Sequence, residues 1–166
     1  IIIEANTLMK NILAALFIIL SPLAVMAQKA IFEKNDSARI ETMLLNADNS
    51  HTGGELLQAI ADGFIGEKYV GGTLEQGAEE PLFISCTELD CTTFVEIVLA
   101  IAKTANDGSH RFADVCRNLE TIRYRNGKNC GYASRLHYIS WWITDSAKTG
   151  IIEEVGTVVD VKRGAQ

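Results

Sequence analysis

Four stretches of the chain repeat apolar residues at helical spacing. Residues 35–47 place Ile40, Met43 and Leu44 on one face, with Asn35, Asp36 and Ser37 ahead of them as candidate caps. Residues 53–66 carry Leu56, Leu57, Ile60 and Phe64 and end in glycine. Residues 91–105 are the most apolar. Their spacing predicts a helix that packs through Phe94, Val95, Val98, Leu99 and Ala102. Residues 111–118 read as a fourth helix. The segment from 120 to 125, ETIRYR, alternates as a half-buried strand would, and Asn126-Gly127 turns it. Residues 132–148 are aromatic and predict a further helix. Residues 151–161, IIEEVGTVVDV, read as strand. The glycine-rich stretch 66–77 is turn-like, and residues 79–88 are extended or loop.

This order of elements leaves a gap. Helices fill the first two thirds and strands begin only near the end. One or two strands cannot form a sheet that hides its own face. The expectation is therefore either a mostly helical fold or a sheet that this chain does not complete.

The N-terminal region follows a different logic. From Met9 the chain reads MKNILAALFIILSPLAVMAQ: one lysine, an apolar run over 12–20, then Val25 and Ala27 before Gln28. This is the layout of a secretory signal, with cleavage expected after Ala27. The run is short for a membrane span. Residues 1–8 precede the natural start at Met9 and are set aside as spurious upstream residues. The expected organisation is a signal peptide over 9–27 and one domain over 28–166, exported to the periplasm.

Composition narrows the function classes. With 48% hydrophobic and 22% charged residues the chain is globular rather than disordered. A net charge of −6 argues against a nucleic-acid partner, which asks for a basic face. Export into an oxidising compartment draws attention to Cys86, Cys91, Cys116 and Cys130. Four cysteines allow two disulfides in three pairings. There is no CxxC pair, and the spacings match no metal site, so neither metal nor other cofactor is expected.

One thiol stands apart. In LDCTTFVE, residues 89–96, Cys91 lies where the apolar helix begins, with Asp90 directly before it and Thr93 behind. Thiolate, not thiol, is the nucleophile, and a helix N-terminus favours an anion there. The N–H groups at that end can also form part of an oxyanion hole. Asp90 is placed to cap the helix. The plainer fate of such a residue is an inert, partly buried cysteine.

Tyr69-Val70-Gly71-Gly72-Thr73-Leu74 precedes LDCTTFVE by about twenty residues. This pair resembles the NlpC-type cell-wall cysteine hydrolases, a papain-like group. The later segment GYASRLHYISWWITDSAKTGIIEEV resembles one branch, the N-acetylmuramoyl-L-alanine amidase-like family. The resemblance runs from about Ile40 to the end of the chain. It implies an α+β, NlpC-type papain-like fold, in which a helical N-terminal part and the nucleophile helix pack on an antiparallel sheet largely missing here. It further implies that the chain is truncated before the strand that carries the catalytic histidine. The implied activity is amide cleavage in peptidoglycan fragments (muropeptides), at the N-acetylmuramoyl-L-alanine bond or a nearby amide, through an acyl-enzyme on Cys91. Without its base such a thiol would alkylate readily but hydrolyse amides slowly.

The resemblance also implies roles for neighbours. Tyr69 would orient substrate beside the thiol or serve only as a core or loop anchor. Gly71 and Gly72 would allow close backbone approach or simply form a turn. Asp90 counts with the substrate-binding residues. Of the histidines, His51 and His110 read as solvated or capping. His137 lies in an aromatic segment, SRLHY, read as helical, which is not the strand context of the family's base. Arg135, His137 and Tyr138 are therefore expected to bind substrate, with His137 as base kept as the alternative. Arg135 has the planar fork that suits a muropeptide carboxylate, or a surface ion pair. Trp141 and Trp142 either stack on sugar or fill the core. A different class remains open: an exported helical binding or structural domain with an inert Cys91 and a Cys116–Cys130 bridge.

Overall fold

The computed structural model describes residues 30–47, 53–75, 77 and 79–153. The signal segment, His51 and most of the 151–161 strand prediction lie outside these residues. Element order is β1 (Ala30–Ile31), α1 (Lys34–Asn46), α2 (Gly54–Asp62), β2 (Lys68–Tyr69), β3 (Leu82–Phe83), β4 (Glu88–Leu89), α3 (Cys91–Asn106), α4 (Phe112–Arg123) and α5 (Ile139–Lys148). Two 3₁₀ turns, Arg125–Gly127 and Tyr132–Ser134, separate α4 from α5.

Helix α3 is the axis. Ile97 and Ile101 on it are buried against Ile40 and Leu44 of α1, Leu56 and Ile60 of α2, and Val115, Leu119 and Ile122 of α4. Because neighbours cover it on several sides, its buried face is broader than the spacing predicted and rotated from it. Thr93, Glu96, Ile97, Ala100, Ile101 and Thr104 go inside, together with Val98 and Ala102, while Val95 is exposed. The three polar members are tolerated because each is paired. Thr93 Oγ1 bonds Asp90, Glu96 accepts from Arg123, and Thr104 Oγ1 donates to the Ala100 carbonyl and accepts from Asn118 Nδ2.

The strand predicted over 120–125 is instead the last turns of α4. Val115, Leu119 and Ile122 continue one helical stripe, and the apparent alternation is the accident of Ile122 and Tyr124 lying two apart. Only Tyr124 has strand character, through an isolated antiparallel bridge to Arg135. Asn126 and Gly127 do turn the chain, both at positive φ, +54° and +69°. Residues 132–148 are α-helical only from Ile139; Arg135 is extended, and His137 lies in irregular backbone before α5. The α1 cap also differs. Glu33 is the N-cap, and Asp36 returns a carboxylate oxygen to its N–H at 3.0 Å.

The described strand pairs are short and parallel, not antiparallel. β1 pairs β3 with Ala30 opposite Leu82, and β2 pairs β4 with Tyr69 opposite Leu89. The second pair brings Tyr69 alongside the entry to α3.

Candidate functional site

The tip of α3 is built by Asp90. Its Oδ1 accepts from the N–H groups of Thr92 and Thr93 at 3.0 and 2.8 Å and from the Thr93 hydroxyl at 2.9 Å. Thr93 Oγ1 in turn accepts from the Asp90 N–H at 2.9 Å, closing a capping box. Cys91 is the first helical residue, exposed and free. The cap has a chemical consequence. The second and third N–H groups of the helix are taken by Asp90 and are not open to an oxyanion. The carboxylate also offsets the positive end of the helix dipole. Asp90 does not take the N–H of Cys91.

The thiol opens into a cleft of about 230 Å³ lined by Phe64, Glu67, Lys68, Tyr69, Asp90 and Phe94, with Leu89 beneath. Tyr69 is 75% exposed there, so it anchors no core. Its position follows from the strand pairing, which the Val70 N–H to Leu89 carbonyl bond extends at 3.0 Å. The Phe64 and Glu67 part of the lining is held from α1. Arg39 donates to Glu67 at 2.7 Å, to the Cys86 carbonyl at 3.1 Å and to the Gly63 carbonyl at 2.6 Å, and its guanidinium lies over the Phe64 ring. Phe64 meets Phe94 edge to face. Gly72 sits at φ +76°, which only a turn glycine adopts readily, and a Cβ on Gly71 or Gly72 would meet nothing. Both therefore stand in a turn, open to solvent.

A second cleft, about 150 Å³, lies on the other side of Asp90. Gly72, Glu75, Thr92, Glu96, Arg135 and His137 are among its lining residues. The structure thus brings Tyr69, Asp90 and Cys91 together, and Asp90, Arg135 and His137 together, with Asp90 shared. His137 does not line the cleft that holds the thiol. Its Nε2 lies 2.9 Å from the Tyr132 carbonyl and its ring 4.3 Å from that of Tyr132. Tyr138 lines neither cleft. It caps α5 and is exposed against Trp141.

Arg135 is not a surface residue. Only 5% exposed, it pairs with Glu75 at 2.5 Å and faces Glu80 at 3.3 Å. Of these two carboxylates Glu75 is exposed and the Glu80 side chain is buried, and Glu80 also accepts from the buried Tyr124 hydroxyl at 3.1 Å. Beneath lies a second buried pair, Glu96 with Arg123 at 2.7 Å, and Arg123 also donates to the Phe83 carbonyl at 2.6 Å. Burial pushes the Glu96 carboxyl up, and Arg123 pulls it part of the way back. Spacing alone did not single out this pair. Its one signal is a lone glutamate inside FVEIVLAIA, since a charge in an apolar stripe needs a buried partner.

The cysteines sort by environment. Cys86 is buried and its thiol is pushed up to about 12, by desolvation first and then by the Asp36 carboxylate. Burial pushes Cys116 up to about 11. Cys91 and Cys130 are exposed, and all four are free, so no Cys116–Cys130 bridge forms. Among the described residues no cluster of histidine, cysteine and carboxylates could hold a metal.

The fold is an α+β domain, mostly helical, with a central helix whose capped tip lies between two clefts. A family model described as N-acetylmuramoyl-L-alanine amidase-like matches residues 59–163, and the chain belongs to that family. Solved structures agree. A Bacteroides uniformis N-acetylmuramoyl-L-alanine amidase is 42% identical with a TM-score of 0.53, over 57% of this chain and 39% of that one. A Bacteroides fragilis protein, provisionally described as a xylanase, is 47% identical with a TM-score of 0.54, over 58% of this chain and 42% of that one. A Legionella pneumophila protein at 23% identity and TM-score 0.60, over 70% of this chain and 38% of that one, shares the fold. The chain thus spans about two fifths of the length of the solved structures it matches. No curated protein matches it.

Proposed function

We propose that this chain carries the nucleophile of a cysteine amidase acting on muropeptides, with an NlpC-type, papain-like arrangement. The observation that carries the reading is the exposed Cys91 thiol at the first turn of the central helix. It opens into the same cleft as Tyr69, in a chain of an amidase-like family. Cys91 Sγ attacks the carbonyl carbon of the amide joining the muramic acid lactyl group to L-alanine, or of a nearby peptide amide. The C–S bond forms, the C–N bond breaks, and the amine leaves with a proton. Water then hydrolyses the thioester to the free acid and regenerates the thiol. Tyr69 orients the substrate across the cleft, and Asp90 holds the helix end that presents the thiol. His137 belongs to the neighbouring cleft, so the base that deprotonates Cys91 is assigned outside the described residues. The same reading places the mature chain in the periplasm after cleavage behind Ala27.

One arrangement favours a second reading, a non-catalytic muropeptide binder. Asp90 takes two helix N–H groups, and His137 lines a different cleft from the thiol. An activated acyl donor separates the two, because it asks for no base. The p-nitrophenyl ester of N-acetylmuramic acid should deposit one acyl group per chain on Cys91, found by peptide mass mapping and lost in Cys91→Ser. Exposed Cys130 is the internal control. Acylation of Cys130 at the same rate, or none at Cys91, removes the nucleophile assignment; muropeptide binding without acylation establishes the binder.

A further inference from the structure

The pair of strands that sets Tyr69 beside Cys91 is too short to hold itself. β2 and β4 pair two residues each, Lys68 opposite Glu88 and Tyr69 opposite Leu89, and the Val70 N–H adds one bond to the Leu89 carbonyl. An isolated two-stranded pair is at best marginally stable in water, and this one is shorter than most. Its register must be fixed from outside.

Helix α1 supplies that constraint through two residues that do not line the thiol cleft. Ahead of β4, the Cys86 backbone is gripped on both sides. Its N–H donates to Asp36 Oδ1 at 3.0 Å, and its carbonyl accepts from Arg39 Nη1 at 3.1 Å. Ahead of β2, the same Nη1 donates to Glu67 Oε1 at 2.7 Å, and Nη2 donates to the Gly63 carbonyl at 2.6 Å. One guanidinium therefore spans the residues that lead into both strands. Its Cζ also stands over the Phe64 ring, 5.3 Å from the centroid, and Phe64 meets Phe94, three residues beyond Cys91 in α3. A planar fork suits this task. A lysine ammonium, a single point charge, cannot bridge both strand leads in one plane. Resting on the amidase reading, we propose that Arg39 is a positioning residue for the acylation of Cys91. It acts through Glu67, Phe64 and the Cys86 backbone, holding β2 against β4 so that Tyr69 faces the acyl donor across the thiol. A residue that only added stability would weaken the whole fold alike; one that clamps the strand pair is felt first at β2.

The test uses the full chain with Arg39→Lys, which keeps the charge, and Arg39→Ala, which leaves room for methylguanidinium. Hydrogen exchange at the Val70 amide reads the strand pair directly. In both variants it should speed up about tenfold or more relative to the Ile101 amide in the middle of α3. Iodoacetamide, which needs only an accessible thiol, should alkylate Cys91 at the wild-type rate. The p-nitrophenyl ester of N-acetylmuramic acid should acylate Cys91 about tenfold more slowly or worse, since small misplacements in a site are costly. Low-millimolar methylguanidinium should recover acylation in Arg39→Ala and leave wild type unchanged. Unchanged Val70 exchange, equal changes at Val70 and Ile101, acylation at the wild-type rate, or a loss that methylguanidinium does not recover overturns the role. Alkylation and acylation falling together also overturns it. A wild-type chain that is not acylated at Cys91 fails the amidase reading, whereas Val70 exchange still decides the clamp, so the two failures are distinct.

Discussion

Replacing Arg123 by leucine removes the cation that faces the buried Glu96 carboxylate. The two side chains are 2% and 3% exposed, and Nε lies 2.7 Å from Oε2. Breaking one side of such a pair costs about 3–5 kcal/mol, because the remaining charge is left buried and alone. A domain of this size holds about 5–15 kcal/mol in all, so the loss should be about a fifth of the total or more. It should appear as a fall in the urea midpoint at neutral pH with little change in slope. The pH dependence supplies a second check. Burial already raises the Glu96 carboxyl above its ordinary 4.5, and Arg123 is the first group that opposes the rise. In Arg123→Leu it rises further, so the native state holds the proton more tightly than the unfolded chain does. The penalty should then be smallest below pH 4.5, where Glu96 is protonated in both states, and grow as pH rises through the folded value. Glu96→Gln in the same background should flatten that profile. The double replacement by leucine should recover most of the loss, since an apolar pair leaves no unpaired charge. A loss below about 1 kcal/mol, a flat pH profile, or simple additivity of the two single replacements would refute the reasoning.

Two further outcomes follow from the site and its surroundings. Asp90→Ala should lower stability by about 1 kcal/mol in thermal or urea unfolding through loss of the cap, while Asp90→Asn keeps most of it; equal stability of Asp90→Ala and wild type would contradict the cap. Cys86, with its thiol pushed from 9.0 to about 12, contributes stability that is complete below pH 9 and is lost as pH rises toward 12. Three units correspond to about 4 kcal/mol. Urea midpoints across that range should therefore fall less steeply in Cys86→Ala than in wild type, and parallel curves would show that the buried thiol carries none of the alkaline limb.

Much of the helical layout was legible because burial repeats at the helical period. Residues 35–47, 53–66 and 91–105 reappear as α1, α2 and α3 with shifts of a residue or a few at their ends. Cys91 at the start of α3 was legible for the same reason, since Asp90 both marks the helix start and makes it. Where periods coincide, spacing fails. Ile122 and Tyr124 look like a strand and belong to a helix end, and the ring-rich run before α5 looks helical although His137 lies outside any helix.

Tertiary structure decided the rest, because pairing between distant residues leaves no period in the chain. Glu96 meets Arg123 across 27 positions, Arg135 meets Glu75 across 60, and Arg39 reaches Cys86 across 47. These contacts turn α3 so that Val95 faces water and Glu96 does not, and they pair the buried Arg135 with Glu75, a carboxylate that is itself more than half exposed. Local order along the chain thus determined where the thiol stands in its helix. Only the assembled helices and loops determined that it opens beside Tyr69 while His137 lies across Asp90, because a cleft exists only between elements that the sequence keeps apart.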